Sequence, residues 1–262
     1  MVTEEEIEQA AKLIIESKYV IVLTGAGFGT ESGIPDFRSP GSGLWTKVDP
    51  YEFGNSTSFR RNPSNFYNLA RELAPKLFSA RPNKGHRALA KLEKLGYIKL
   101  IITQNFDNLH QRAHSKNVIE VHGNIREAYC SNCRKIVPIW KLVEDFFGGQ
   151  IPTCECGGIL RPNVVLFGEK PHNIPKSLKF AEKCDLCLVI GSSLVVSPIN
   201  MVPQIAINHG AKLIIINHGP AASTHLDSQA TLVIREKAGI AIPKILAKIK
   251  QLNGKCEKNG NI

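Results

Sequence analysis

The chemistry in this chain concentrates in two runs of residues that end apolar stretches. Residues 24–38 read TGAGFGTESGIPDFR, and residues 103–110 read TQNFDNLH. In the first, Gly25, Gly27 and Gly29 let the backbone turn sharply and approach a phosphate, whose charge a following helix N-terminus favours. Gly33, Ile34 and Pro35 then form a tight turn that delivers an acid, a ring and a cation side by side: Asp36, Phe37 and Arg38. In the second, Gln104, Asn105 and Asp107 supply amide and carboxylate groups that can stabilise developing positive charge. His122, in VHGN after residues 118–121, is one of eight imidazoles in the chain, a group able to serve as a general base because it titrates at ~6.5 when unperturbed. Ligands of open parallel sheets sit beyond the carboxyl ends of the strands, so these strand ends imply one crevice.

A second chemical centre lies in the cysteines. Cys130-x2-Cys133, a gap of twenty residues, and Cys154-x-Cys156 before Gly157 and Gly158 form two short thiolate pairs of the kind held in turns. Four thiolates suit tetrahedral zinc and leave no position open for water, so a structural site is expected. Its binding would contribute on the order of 10 kcal/mol to local folding. Cys184 and Cys187 share the C-x-x-C spacing but run into the apolar stretch 186–190, where positions i and i+3 face opposite sides of a strand. That pair is read as neither redox nor metal site. Cys256 carries no reading, and His86, His110, His114, His172, His209, His218 and His225 are read as structural.

The elements that must position these groups alternate along the chain. Thr3 begins an amphipathic helix, with Glu6 closing a capping box. Residues 19–23, 98–102, 186–190, 213–216 and 231–234 are apolar runs of strand length, and residues 84–95 form a second helix stopped by Gly96. Continuous Val/Ile/Leu strands are what a parallel sheet covered on both faces requires. The expected fold is α/β: a doubly wound, Rossmann-like parallel sheet with a smaller zinc-binding and helical domain formed by insertions. Residues 1–35, 81–125 and 164–252 are assigned to the Rossmann-like domain. Residues 36–80, with short helical stretches, and 126–163 are assigned to the small domain, and 253–262 to a flexible tail. An ordinary dinucleotide dehydrogenase would place an acid at the end of a second strand about 20 residues on. Asp49 and Glu52 lie near that distance with no strand leading to them, which disfavours hydride transfer. No apolar run is long enough to span a bilayer, and the acidic first residues lack a signal-peptide pattern. A cytoplasmic location is expected, or nuclear in a eukaryote. The net charge of +10 is read as a basic surface with a lysine-rich tail.

The motifs and their order resemble those of the sirtuins, the NAD-dependent protein deacylases, over about residues 5–250. The resemblance implies that the glycine loop wraps NAD, with Ala26 and Thr30 facing its phosphates and Arg38 meeting phosphate or ribose. Phe37 would shield the reacting sugar carbon, while Ile34, Asp36 and Asp107 would line the nicotinamide side. Gln104 and Asn105 would hold the ribose and a water. After the acetyl-lysine oxygen attacks the ribose, His122 would deprotonate a ribose hydroxyl, giving nicotinamide, O-acetyl-ADP-ribose and free lysine. Gly191, Ser192, Ser193, Asn217, Lys237 and Ala238 would hold the adenosine half. Val165, Phe167, Gly168 and Glu169 on one side and Leu194, Val195 and Val196 on the other would bracket an extended acetylated peptide as an added strand.

The chain departs from the family at Gly29, where Ser is usual, and at Leu166, where an aromatic is common. Tyr67 matches a tyrosine of desuccinylating members, but Ala70 fills their arginine position, and Arg71 points about 100° away on a helix. Neutral acyl groups are therefore expected. NAD as cosubstrate and one structural zinc are the implied cofactors, and acetylated-lysine proteins or peptides the implied partners, chromatin- or DNA-associated proteins among them, with no membrane partner. The alternatives are mono-ADP-ribosyl transfer at the same NAD site and a zinc-bearing chromatin- or nucleic-acid-binding protein.

Overall fold

The computed structural model of the chain describes residues 2–41, 43–219 and 222–259. Helix α1 (Glu4–Glu16) opens with the expected capping box: the Thr3 side chain accepts the Glu6 N–H, and the Glu6 carboxylate accepts the Thr3 N–H. Strand β1 (Val20–Thr24) leads into a 3-10 turn, Ala26–Ser32. The first insertion carries α2 (Pro50–Phe53), α3 (Ser56–Arg61) and α4 (Pro63–Ser79). Only short helical pieces are expected there, yet α4 runs for 17 residues. Asn62 caps it, Pro63 sits in its first turn where no N–H partner is needed, and burial of Tyr67, Leu69 and Ala74 holds it.

The chain continues through α5 (Lys84–Lys94), β2 (Ile98–Thr103), α6 (Leu109–Arg112) and β3 (Val118–Glu120). The second insertion follows as β4 (Gly123–Cys130), β5 (Ile136–Pro138), α7 (Val143–Phe147) and β6 (Leu160–Val164). Then come α8 (Ile174–Ala181), β7 (Leu186–Ile190), α9 (Met201–Asn208), β8 (Lys212–Ile216), β9 (Leu232–Ile234) and α10 (Ala238–Asn259). Residues 253–259, assigned to the flexible tail, are helical and continue α10, whose internal proline, Pro243, lies upstream of them.

Six parallel strands form the main sheet in the order β3-β2-β1-β7-β8-β9, the doubly wound order with its switch point at β1. Alternate residues of β1 go to opposite layers. Val20 and Val22 pack with Ile14, Leu89 and Ile242 of α1, α5 and α10, while Ile21 and Leu23 pack with Ala181 and Val202 of α8 and α9. Strands β4, β5 and β6 form a separate antiparallel sheet. Phe59, Tyr67, Phe146 and Leu166 form an apolar cluster beside it. The boundaries expected at 125/126 and 163/164 fall inside β4 and β6, which pair with each other from Gly123↔Val164 onward. Among the described residues no helix is long and apolar enough to cross a membrane.

Candidate active site and metal centre

At the switch point the loops after β1 and β7 touch backbone to backbone. The Gly25 N–H donates to Ile190 O at 3.0 Å, and the Gly27 N–H to Gly191 O at 2.9 Å. A Cβ on Gly25 would lie 2.7 Å from Gly191 O, and one on Gly191, whose φ is +62°, would lie 2.3 Å from Phe28 N. Only glycine fits this approach. Polar side chains then close the floor across strand ends. Gln104 Nε2 donates to Ser192 Oγ at 2.9 Å, Asn105 Nδ2 to Gly25 O at 3.0 Å, and Asn217 Nδ2 to Ser192 O at 2.8 Å.

Above this floor opens a cavity of about 700 Å³, within the size range of ligand sites. Every expected cofactor residue lines it except Ile34 and Asp107. Those two line a separate crevice of about 30 Å³ that shares Ala26, Phe37 and Asn105 with the cavity. Asp36 lines the main cavity, and its carboxylate also accepts the Arg38 and Ser39 N–H groups and the Ser39 hydroxyl, which fixes the turn. A Cβ at Gly29 would meet Asp107 Oδ2 at 3.5 Å and Ile34 beyond, so space does not explain the departure from serine. Asp49 caps α2 and Glu52 accepts from Asn65, and neither lines the cavity.

His122 Nδ1 lies 3.1 Å from Gln104 O. A carbonyl oxygen only accepts, so Nδ1 carries the proton and Nε2 keeps the basic lone pair. Burial holds the imidazole below its usual pKa, partly offset by the Gln104 carbonyl. Asp107 is 5% exposed, and its carboxylate accepts the Leu109 N–H at 2.8 Å. Burial pushes its pKa up to about 6.

The residues expected to bracket a peptide divide. Val165, Phe167, Gly168, Glu169 and Val196 line the cavity. Leu194 turns into the core at 2% exposure with φ +55°, and Val195 is 63% exposed outside the lining. The extended reading of LVVSP missed this left-handed turn, which no glycine or asparagine announces. Sequence reasoning also missed Arg161, a buried cation on β6 that meets Glu169, and the Thr24–Thr103–His110 contacts. A threonine ending each of two strands was the available signal for the latter.

The four expected zinc ligands converge. Cys130 and Cys156 sulfurs lie 3.4 Å apart, Cys133 and Cys154 3.8 Å, and all four fall within 4.8 Å of one another. Tetrahedral zinc with Zn–S near 2.3 Å requires sulfurs about 3.8 Å apart, so the set fits the ion. Two backbone N–H groups, of Asn132 and Cys133, point at Cys130 Sγ. A Cβ on Gly158 would lie 2.6 Å from that sulfur, which is why a glycine stands there. Cys184 and Cys187 are buried away from this cluster, the former donating to Ala181 O, and the side chain of Cys256 lies outside the described residues.

A profile of the Sir2 family matches residues 25–198. An NAD-dependent protein deacetylase of Saccharolobus solfataricus is 48% identical over 245 residues, 93% of this chain and 97% of that protein. The solved structure of a Sir2 protein with a deacetylated p53 peptide and 3′-O-acetyl ADP ribose has a TM-score of 0.87 at 37% identity, covering 92% of this chain and 98% of that one. Another, bound to a myristoylated histone peptide, has a TM-score of 0.81 at 39% identity, covering 97% and 100%. Sequence and fold agree over nearly the whole length, and the chain belongs to the Sir2 family.

Proposed function

We propose that this protein removes acyl groups, acetyl first, from protein lysines with NAD as cosubstrate, releasing nicotinamide and O-acyl-ADP-ribose. The observation that carries the reading is His122, oriented by the Gln104 carbonyl at a cavity whose floor is the glycine loop and whose wall holds Asn105. Bound NAD would supply an electrophilic ribose carbon as its nicotinamide leaves. The backbone around Gly25 and Gly27 would meet the pyrophosphate, and Ser192 and Asn217 the adenosine half. Ile34 and Asp107, at the small crevice beside the cavity, would meet the nicotinamide side, and Phe37, shared by both spaces, would keep water from the reacting carbon. Nε2 of His122 would take the ribose hydroxyl proton. Zinc held by Cys130, Cys133, Cys154 and Cys156 would brace the small domain. A reducing compartment is proposed with it, since those thiols must stay free. Chromatin- and DNA-associated proteins enter as candidate substrates through the +10 charge.

A second observation extends the acyl range. One arm of the cavity runs between α4 and α7, lined by Leu69, Ala70, Leu73, Ala74, Leu142 and Phe146. Tyr67 lies outside that lining, its hydroxyl given to Leu160 O, and Arg71 donates to Phe146 O and Gln150 O. Neither receives an acyl carboxylate, and an apolar arm suits fatty chains longer than acetyl. The test incubates acetyl- and myristoyl-lysine peptides with and without NAD, following nicotinamide and product mass beside His122→Ala. NAD-dependent deacylation that collapses in the variant supports the reading. ADP-ribose left on protein would indicate transfer instead, and no turnover by folded, zinc-loaded protein would indicate a binding module.

A further inference from the structure

Beneath the loop that carries Gln104 and Asn105 runs a buried chain of hydrogen bonds. Thr24 ends β1, Thr103 ends β2, and the two are partners in the parallel register. Thr24 Oγ1 donates to Thr103 Oγ1 over 2.8 Å, and Thr103 Oγ1 accepts the Asn105 backbone N–H at 3.0 Å. On the other side, His110 Nε2 lies 2.9 Å from Thr24 Oγ1. None of the three residues is more than 1% exposed.

The proton arrangement follows from counting donors. Thr24 gives its one hydroxyl proton to Thr103, so His110 must donate through Nε2. Its Nδ1 is buried without a partner, and a bare lone pair there costs less than an orphaned N–H, which favours the same tautomer. Burial keeps this ring neutral, with its pKa pushed down to about 3. The ring also stacks on Phe28 of the glycine loop, 5.3 Å between centroids.

The same strand ends hold the other reacting group. The Gln104 N–H donates to Thr24 O at 2.9 Å, and Gln104 O orients His122 Nδ1. Two side chains at the cavity therefore depend on where Thr24 and Thr103 place one short stretch of backbone.

We propose that His110 is a positioning residue for the reaction: through Thr24 and Thr103 it sets the backbone of Gln104 and Asn105, and so aims the Asn105 amide and the His122 imidazole. This rests on the reading of Asn105 and His122 as reacting groups. A space-filling histidine would need its ring but not its N–H, and that difference is measurable.

The experiment uses the full zinc-loaded chain with NAD and an acetyl-lysine peptide. His110→Phe keeps a ring without the donor, and His110→Gln returns an N–H near the place of Nε2. Thr24→Val removes the hydroxyl at nearly equal volume, and Thr24→Ser restores it. His110→Phe and Thr24→Val should each lower kcat about tenfold, with both KM values within about twofold. The double variant should lose no more than either single, because both cut one chain. His110→Gln and Thr24→Ser should recover most of the rate. An active His122→Ala would refute the underlying reading. An inert His122→Ala beside unchanged kcat in folded His110→Phe and Thr24→Val would refute the positioning role alone, as would additive losses. Should Thr24→Val fail to fold, Thr103→Val against Thr103→Ser decides by the same criteria.

Discussion

Replacing Arg161 with methionine should loosen the peptide side of the cleft by an amount the contacts set. The Arg161 side chain is 5% exposed and donates to the Glu169 carboxylate at 2.8 Å and to the Tyr129 hydroxyl. Its guanidinium lies 5.2 Å and 4.9 Å from the ring centroids of Phe59 and Tyr129. Glu169, 29% exposed, also accepts the Leu166 N–H, so the pair braces the turn that lines the cavity. Breaking one side of a fully buried pair costs about 3–5 kcal/mol, and partial solvation of Glu169 brings the expected loss to roughly 2–3 kcal/mol. At about 2.1 cal/mol/K of unfolding entropy per residue, 262 residues give roughly 0.55 kcal/mol/K and a Tm lowered by about 4–5 °C. Arg161→Met with Glu169→Gln should recover about 1 kcal/mol, since no unpaired charge remains. Calorimetry on zinc-loaded protein reads the stability. Steady-state kinetics should show the peptide KM rising about tenfold with the NAD KM unchanged. A Tm shift under about 1 °C, or a double variant as unstable as the two singles added, would refute the reasoning.

Burial holds His122 below its usual pKa, so the base stays neutral as pH falls. The acid limb of kcat/KM should therefore turn below ~6.5, and an inflection above ~7 in the pH profile would contradict this. Asp107 titrates near 6 folded against 3.8 as its ordinary value, so the fold penalises its charge above that range. Asp107→Asn should accordingly raise stability at pH 8 by on the order of 1–3 kcal/mol, a gain that fades from pH 6 towards 4, while activity falls. Denaturant titrations at three pH values check the sign, and a loss at pH 8 would be decisive against it. Stripping zinc with a chelator should abolish peptide turnover and lower the Tm, and Gly158→Ala should release metal faster in a chromophoric chelator assay. Metal removal without a Tm change would mean the cysteines do not brace the fold. Leu73→Trp should block the apolar arm, cutting myristoyl turnover at least about tenfold with acetyl turnover within about twofold; equal falls would deny the arm its role.

The groups legible in the sequence are those whose neighbours in the chain announce them. Gly25, Gly27 and the strand before them mark the turn, and the two cysteine pairs mark the metal centre, because turn chemistry and ligand spacing are local. The sheet was legible for the same reason, since unbroken apolar runs have few other uses. What stayed hidden depends on distant partners. Arg161 looks like any surface cation until Tyr129 and Glu169 fold around it. Leu194 sits in extended company and still turns left-handed, with its side chain packed in the core. His110 carries no local mark of a task; its meaning comes from Thr24, 86 residues earlier.

Strand β1 pairs with β2 through Val20↔Ile98 and with β7 through Val20↔Leu186. On a ribosome adding about 5–20 residues per second, its second edge waits roughly 10–30 s for the partner that covers it. All the chain bearing the cysteine cluster emerges during that interval, while a strand of four apolar residues and Thr24 stands with an open ladder of N–H and C=O groups, the template on which sheets aggregate. The central strand is thus open along one edge until β7 emerges, and chains truncated short of β7 should precipitate rather than persist as half-built domains.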